Sequence, residues 1–299
     1  LSVAHSRHVC IIIGQLVLID LNKILKDHGK VVIIVFLTLA GAVSLLPLIY
    51  LFSTAFKPPE ELFLYPPTFF VRNPTFQNFK DLTAITANSA VPFTRYLFNT
   101  VLITVSYIFC LVWLLTMTSY PLSKHKFPGR SGLMSLVTTS MMFIAAAAGI
   151  PSYLIITSLG IDNTYLVYII PALANTTCLF LMKQFLDTVP NDIFEAGKID
   201  GASEWQLYQK IAIPLLKNAQ ATVIILTFGS IWGDAGTSTT YIYKEQLRTL
   251  GFFMSTIGGG IARTGAGAAS GLIMTLPSII IFIINQSRVQ DTMAHSGIK

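Results

Sequence analysis

Long stretches without any charged side chain are the feature that most constrains this 299-residue chain. A helix needs about 20 mainly apolar residues to cross the hydrocarbon core of a bilayer. Six stretches approach or exceed that length, the fifth of them if the stem of Lys217 extends to the membrane surface. They are residues 31–56, 96–123, 131–161, 163–182, 218–233 and 264–287. We therefore predict an all-α polytopic membrane protein with six transmembrane helices.

The overall composition excludes several other classes of protein. Only 11% of the residues are charged and 53% are hydrophobic, and the mean hydropathy is +0.65. Soluble domains carry about 25% charged residues, so an ordinary soluble enzyme, a disordered chain and a nucleic-acid-binding protein are excluded. The three cysteines, Cys10, Cys110 and Cys178, are widely spaced and match neither a disulfide framework nor a metal motif.

The distribution of basic residues predicts the orientation. With six helices both termini lie on one side, and that side holds 13 of the 20 Lys and Arg residues. Short cytoplasmic loops are enriched in Lys and Arg, so we expect both termini in the cytoplasm. The 13 residues are Arg7, Lys23, Lys26, Lys30, Lys124, Lys126, Arg130, Lys183, Lys198, Lys210, Lys217, Arg288 and Lys299.

Four parts of the chain follow from these helices. Residues 1–30 form a cytoplasmic arm, in which the short apolar run 9–21 is an interfacial or elbow helix or, alternatively, the core of a signal peptide. Residues 31–95 contain the first helix and an outer loop. Residues 96–287 form a core of five helices, and residues 288–299 are a cytoplasmic tail.

No ionisable residue lies inside the six stretches. Ion-coupled carriers usually bind their ion with such residues inside the membrane, so we expect the energy for any transport to come from outside the helices. Uncharged polar residues, among them Asn99, Asn175 and Thr176, either bond between helices or line a path for sugar hydroxyls. We also predict that Pro151, Pro171 and Pro277 interrupt helices three, four and six.

The segment 188–217, between helices four and five, has the pattern of a helix, a glycine turn and a second helix. Asn191 is a predicted N-cap, and the first helix is expected to run to about Asp200 and to end at Gly201. Ser203 and Gln206 have the spacing of a capping box at the start of the second helix, which continues to Pro214. An amphipathic linker lying on the lipid surface is the alternative.

The spacing within this segment resembles the EAA loop of ABC-importer permeases. That loop has EAA, three residues, Gly, nine residues and then Ile-x-Leu-Pro. Here Glu195-Ala196-Gly197 is followed at the same intervals by Gly201 and by 211–214, with Gly197 and Ile213 as departures. The DGA form common in the family is also present. The matching positions are Glu195, Ala196, Gly197, Asp200, Gly201, Ala202, Ile211 and Pro214.

Five further motifs resemble the maltose-type sugar permeases, from about residue 31 to the end, and most closely the six-span member of the permease pair. They are Asn99-Thr100, SKHKFPGR at 123–130, LGIDNTY at 159–165, Trp232-Gly233-Asp234 in place of Trp-Asn-Asp, and Arg248-Thr249-Leu250. The closing Gly297-Ile298-Lys299 agrees with them.

The resemblance implies a type I ABC importer permease fold in a bacterial cytoplasmic membrane and a transport subunit that is not itself an enzyme. It implies a second homologous permease, two ATPase subunits that bind ATP and Mg²⁺, and an extracytoplasmic solute-binding protein that delivers a carbohydrate, an oligosaccharide in our interpretation. The EAA loop then supplies the coupling helix: Glu195 contacts the ATPase, Gly201 makes the turn, and Ala196, Gly197 and Ala202 permit close packing. This chain itself is expected to bind no cofactor or metal.

Some alternatives stay open. An ion-coupled secondary carrier, or an ABC importer permease for a solute other than a sugar, is the alternative function. The outer loop 57–79, rich in proline and aromatic residues, either contacts the binding protein or only covers helix ends. The glycine-rich stretch 258–271 either permits close helix packing or forms a flexible gate.

Overall fold

The computed structural model describes residues 28–87, 91–143, 145–257 and 264–296, and within these segments the secondary structure is helical, with no strand. The predicted arm helix at 9–21 and the last three residues lie outside the described residues. The helices are α1 (His28–Phe56), α2 (Pro59–Leu62), α3 (Gln77–Ala87), α4 (Phe93–Lys124), α5 (Arg130–Met141), α6 (Gly149–Ser158), α7 (Leu166–Leu173), α8 (Thr176–Asp187), α9 (Asp192–Ile199), α10 (Glu204–Leu207), α11 (Ile213–Leu215), α12 (Lys217–Trp232), α13 (Gly236–Tyr241), α14 (Leu250–Thr256) and α15 (Thr264–Ser296).

Three described helices are long and apolar enough to cross a membrane unaided. They are α1 from Val31, α4, and α15 as far as Gln286. Two bent pairs reach the same length: α7 with α8, at an angle of 48°, and Glu204–Leu215 with α12, at 65°. The all-helical, multi-span prediction is therefore confirmed at the level of three to five spans among the described residues.

The third predicted span is not one helix. Residues 131–161 are divided into α5, a 3-10 turn at Ala145–Ala148, and α6. The interruption precedes Pro151, which lies in the first turn of α6, where a missing N–H group leaves no hydrogen bond unmade. The predicted break at Pro151 is thus misplaced, and the count of six spans stays a prediction.

The other two prolines behave differently from each other. Pro171 lies in α7, which ends at Leu173 before α8 begins at Thr176, so the predicted interruption is confirmed. Pro277 lies inside α15, which is one continuous helix from residue 264 to 296. The predicted break there is wrong. Because α15 packs along both α1 and α12, its neighbours support the helix across the proline.

The main hydrophobic core surrounds α4. Leu111, Leu115, Met182 and Leu186 are fully or almost fully buried where α4 meets α8, and Leu216 extends the cluster to the start of α12. By contrast, α1 leaves most of its large apolar side chains exposed. Such a surface is expected to be covered by lipid or by another protein chain.

Candidate functional site

The segment 188–217 folds as the helix, glycine turn and helix that the sequence predicts. Helix α9 ends at Ile199, and Gly201 has φ +80°, the left-handed conformation that glycine adopts without a steric cost. Ser203 caps α10 in a reciprocal capping box with Gln206. The second helix continues through a π-helical turn, Tyr208–Ala212, into α11, and Pro214 lies in the first turn of α11.

The side chain predicted to cap α9 does not make the capping hydrogen bond. Asn191 has helical backbone angles, φ −67° and ψ −27°, and its side chain makes no capping hydrogen bond. An N-cap residue needs an extended backbone before its side chain can reach the first free N–H groups. The amide oxygen of Asn191 instead accepts a hydrogen bond from Lys124 Nζ at 3.2 Å.

The two helices of the segment pack on each other through Gly197. A Cβ atom at this position would lie 2.6 Å from Leu207 Cδ2 and 3.0 Å from Ile211 Cδ1. Leu207 is completely buried and Ile211 is partly buried. The glycine that replaces the usual second alanine is therefore matched by large side chains on the second helix.

The C-terminal end of α4 holds the start of α9. Lys124 Nζ donates to the carbonyl oxygen of Val189 at 2.6 Å, and its ammonium group lies 5.3 Å from the ring of Phe194. Phe194 is the buried side chain of α9, and its ring lies 5.8 Å from that of Tyr120 in α4. The helix is thereby held on its inner face.

Glu204 joins the far end of α9 to α4. One carboxylate oxygen lies 2.7 Å from Lys198 Nζ, across the Gly201 turn. The other accepts a hydrogen bond from the Tyr120 hydroxyl at 3.0 Å and lies 3.0 Å from His125 Nε2. Both ends of α9 are thus attached to the last turn of α4 and the residue after it.

The outer face of α9 is left open. Glu195, Ala196 and Asp200 are exposed, whereas Ala202 is half-buried beside the turn. Ile199 is 86% exposed, and Ile193 is also exposed, although both are large apolar residues. Sequence reasoning missed these two isoleucines. The signal was present, because their helical positions lie away from that of buried Phe194.

Four of the motifs recognised in the sequence assemble into a second group, which, from the predicted orientation, we call the outer motif cluster (Asn99-Thr100, Asn163–Tyr165, Trp232–Asp234 and Arg248–Leu250). The amide of Asn99 donates to the carbonyl oxygens of Gln246 and Arg248, both at 2.8 Å, and accepts from Tyr165 at 2.8 Å. Thr100 accepts from the Leu250 N–H at 2.8 Å. Separate stretches of sequence are joined by these and related bonds.

The three candidate substrate-path residues lie in two separate parts of the structure. Asn99 is fully buried in the outer motif cluster, with its amide engaged as described. Asn175 caps α8 by accepting the Cys178 N–H at 3.0 Å, and Thr176 is half-buried in the next position. Asn175 and Thr176 therefore lie at the break between α7 and α8, and a role in substrate passage stays a prediction for all three.

The outer loop 57–79 is an ordered structure built around Glu61. Its carboxylate accepts the N–H of Arg72 at 3.0 Å and the hydroxyl of Thr68 at 3.2 Å. Burial alone raises the pKa of Glu61, but the hydrogen bonds from Arg72, Asn73 and Thr68 and the charge of Lys57 outweigh burial and hold the pKa below its usual value. The loop exposes several aromatic side chains, including Tyr65 and Phe70.

Part of the glycine-rich stretch also falls among the described residues. A Cβ at Gly265 would overlap the side chain of Asn78, and one at Gly271 would lie 3.1 Å from Leu51 Cδ1. Both glycines thus permit α15 to approach α1 and α3 closely, as the packing alternative requires. Residues 258–263 lie outside the described residues. Among the described residues no three His, Cys, Asp or Glu side chains are grouped so that they could hold a metal ion.

Comparison with known proteins identifies relatives over most of the chain. A family model for the binding-protein-dependent transport system inner membrane component matches residues 10–290. Protein LplC of Bacillus subtilis is 33% identical over 214 residues, which are 70% of this chain and 68% of LplC. The galactooligosaccharides transport system permease protein GanQ of the same organism is 26% identical over 272 residues, 88% of this chain and 93% of GanQ. A crystal structure of a bacterial ABC transporter involved in the import of the acidic polysaccharide alginate has a chain with the same fold, with a TM-score of 0.75, 22% identity, and coverage of 87% and 95%.

Proposed function

The chain belongs to the family of binding-protein-dependent transport system inner membrane components, and we propose that it is the six-span permease subunit of an ATP-driven importer that brings a carbohydrate into the cytoplasm. As a family member it is a multi-pass inner-membrane permease that works with a solute-binding protein and a separate ATPase. It is a transport component and not an enzyme. The family relationship does not fit the ion-coupled carrier that the sequence left open.

A carbohydrate is the substrate class that the relatives favour. GanQ is named for galactooligosaccharides, and the structural relative for alginate. A permease for a non-sugar solute is the remaining alternative, and uptake assays with labelled sugars distinguish the two.

The loop at 188–217 is proposed to dock on the ATPase, with α9 as the coupling helix. The observation that carries this proposal is that α9 is fixed on its inner face while its outer face stays open. In this arrangement Glu195 and the exposed Ile199 contact the ATPase, and Gly201 makes the turn that ends the helix. The other positions shape the loop: Ala196, Gly197, Asp200, Ala202, Ile211 and Pro214.

We infer from the same contacts a route that couples closure of the ATPase to movement of the transmembrane helices. When the ATPase subunits bind ATP and Mg²⁺ and close, a docked α9 moves with them as a rigid element. Phe194 against Tyr120, together with Glu204 against Tyr120 and His125, transfers that movement to α4. Because α4 is the central helix of the main core, its displacement repacks α7, α8 and α12.

Co-purification of the ATPase tests the docking proposal. Gly201→Val places a β-branched residue at positive φ, which is strongly disfavoured, and Glu195→Lys reverses the charge offered to the partner. Both variants should insert into the membrane normally but lose ATPase attachment or substrate-stimulated hydrolysis. Lys210→Gln, at an exposed position on the second helix, is the control and should change little. Full attachment, hydrolysis and uptake in both variants would contradict the proposal.

The full complex is proposed to hold a second homologous permease and two ATPase subunits, with both termini of this chain in the cytoplasm. The excess of basic residues on one side supports the orientation. Single cysteines at Lys126 and Lys198 should react with an impermeant thiol reagent only after the cells are opened. Cysteines at Lys80 and Lys244 should react on intact cells, and the reverse pattern would overturn the orientation.

A further inference from the structure

A cavity of about 400 Å³ opens between α4, α6, α7 and the outer end of α12. Its walls include Tyr107 of α4, Ser152 of α6 and Pro171 of α7. Two of these walls lie beside helix interruptions, because α6 begins directly after the 3-10 turn at Ala145–Ala148 and α7 ends just after Pro171. At membrane depth, interrupted helices are tolerated where they are buried in protein or line a polar cavity. A volume of this size lies within the usual range for small-molecule sites.

Asp234 is the ionisable acid in the lining of this cavity. Its Oδ1 accepts the N–H of Thr237 at 3.2 Å, whereas no hydrogen bond from a described residue reaches its Oδ2. The hydroxyl groups of Ser152, Ser230 and Thr237 and the ring of Tyr241 also line the cavity. The lining thus combines a carboxylate oxygen able to accept hydrogen bonds with hydroxyl groups and an aromatic surface.

The backbone that bears Asp234 is fixed by the outer motif cluster. The carbonyl oxygen of Asp234 accepts a hydrogen bond from Thr249 Oγ1 at 2.8 Å. Gly251 lies so close that a Cβ there would come within 2.8 Å of the carbonyl oxygens of Gly233 and Asp234. Because Thr249 and Gly251 hold the backbone of this segment, the carboxylate has a defined position at the cavity wall.

The charge of the cavity determines which ligands suit it. No Lys or Arg belongs to the described lining. Arg248 follows Leu247, whose carbonyl oxygen accepts a hydrogen bond from the wall residue Tyr168 at 3.2 Å. The guanidinium of Arg248, however, lies 4.2 Å from the ring of Phe252 and donates to the carbonyl oxygen of Ile242 at 3.5 Å. A carboxylate without a basic partner in the same cavity disfavours an anionic ligand and favours hydroxyl groups, which donate hydrogen bonds to it.

The geometry points to a binding site for a neutral sugar unit in this cavity, with Asp234 accepting hydrogen bonds from its hydroxyl groups and Tyr241 and Tyr107 contacting its ring. This inference rests on the proposed function, since it places part of the imported carbohydrate within this subunit. It also predicts selectivity for neutral over acidic sugars. The cavity would reject an acidic sugar such as a unit of alginate, the polysaccharide named for the structural relative.

Protection of a cysteine in the cavity tests the site. Ser152→Cys is placed in the full chain with Cys10 and Cys110 replaced by alanine, while buried Cys178 is retained. The complex, purified without binding protein, is labelled with a small uncharged thiol reagent in the presence of galactose, glucose or mannose. Galacturonate and glucuronate serve as the matched anionic probes. The same chain without Ser152→Cys gives the background labelling.

We expect at least one neutral sugar to slow labelling and both uronates to leave it unchanged. Asp234→Asn, which keeps the shape and the bond from Thr237, should weaken protection by the neutral sugar roughly tenfold, the effect of losing a charged hydrogen-bond acceptor. Asp162→Asn, which changes an acid outside the cavity lining, is the control and should leave protection unchanged.

Three results would overturn the proposed site: no protection by any neutral sugar, equal protection by the uronates, or protection unaffected by Asp234→Asn. Co-purification of the ATPase is measured on the same samples. An attached ATPase with no sugar protection rejects the cavity site and leaves the importer proposal standing. Protection without an attached ATPase rejects the importer complex and leaves the sugar site standing.

Discussion

Gly197→Ala tests the packing between the two helices of the segment 188–217. The added methyl group would lie 2.6 Å from Leu207 Cδ2 and 3.0 Å from Ile211 Cδ1, and Leu207 has no exposed surface into which to move. Overpacking of a tight contact costs about 1–3 kcal/mol. Replacing glycine by alanine within a helix stabilises the helix by up to about 1 kcal/mol. We therefore expect the variant to be less stable by about 1 kcal/mol, although alanine is the family's usual residue at this position.

The assay combines thermal unfolding of the purified chain with co-purification of the ATPase. Gly229→Ala is the matched control, since Gly229 lies in α12 and an added Cβ would meet no atom within 4 Å. That control should be neutral or slightly stabilising. Gly197→Ala should lower the melting temperature by about 2 °C or more and weaken ATPase attachment, because it displaces α9 from its position on α10.

A double-mutant cycle with Leu207→Ala identifies the cause. Leu207→Ala alone should cost about 2–5 kcal/mol, as for other large-to-small changes of buried residues. In the double variant the added methyl group occupies space that Leu207 has vacated, so the combined loss should be smaller than the sum by about 1 kcal/mol or more. Strict additivity, or a Gly197→Ala variant as stable as Gly229→Ala, would refute the packing argument.

Three further predictions concern contacts elsewhere in the chain. Glu204→Gln should change the free energy of unfolding by less than about 1 kcal/mol, because the side chain is 53% exposed. The same variant should reduce the uptake per ATP hydrolysed. An unchanged ratio of uptake to ATP hydrolysis would contradict the proposed route through α4. Gly251→Ala should cost about 1–3 kcal/mol in thermal unfolding through its contact with backbone oxygens, whereas Gly267→Ala, with no atom within 4 Å, should not. The pKa of Glu61 is lowered in the folded protein, so its ionised form stabilises the outer loop at pH values above the ordinary pKa of 4.5. This stabilisation is lost as the pH falls through the lower pKa of the folded protein. Glu61→Gln should therefore lower the melting temperature at pH 7 and flatten its decrease in acid, and an unchanged acid profile would contradict the assignment.

The local features of the segment 188–217 were predictable from the sequence because each depends on neighbouring residues. A glycine such as Gly201 is typical of a helix end, and Ser203 three residues before Gln206 is typical of a helix start. The attachment of α9 to α4 was not predictable. It joins Lys124 to Val189 and Glu204 to Tyr120 across separations of 65 and 84 residues, and no local pattern specifies which distant side chains meet.

The interruptions of the helices were predicted less well from the sequence, because they too depend on contacts between distant parts of the chain. A proline marks a possible break, but whether the helix bends depends on what packs beside it, as the contrast between Pro171 and Pro277 shows. The division of 131–161 has no proline at its break. The outer motifs were recognised separately in the sequence, whereas their assembly around Asn99 became visible only in the folded chain.

Uptake into proteoliposomes with a controlled energy source is the most direct test of the claim that this chain is a permease of an ATP-driven importer. The vesicles contain the complete complex, with binding protein and labelled oligosaccharide on the outer side and ATP enclosed. We predict uptake that requires ATP and is unchanged when an ionophore collapses the proton gradient at constant ATP. Uptake by this chain alone, driven by an imposed proton or sodium gradient without ATP, would contradict that claim.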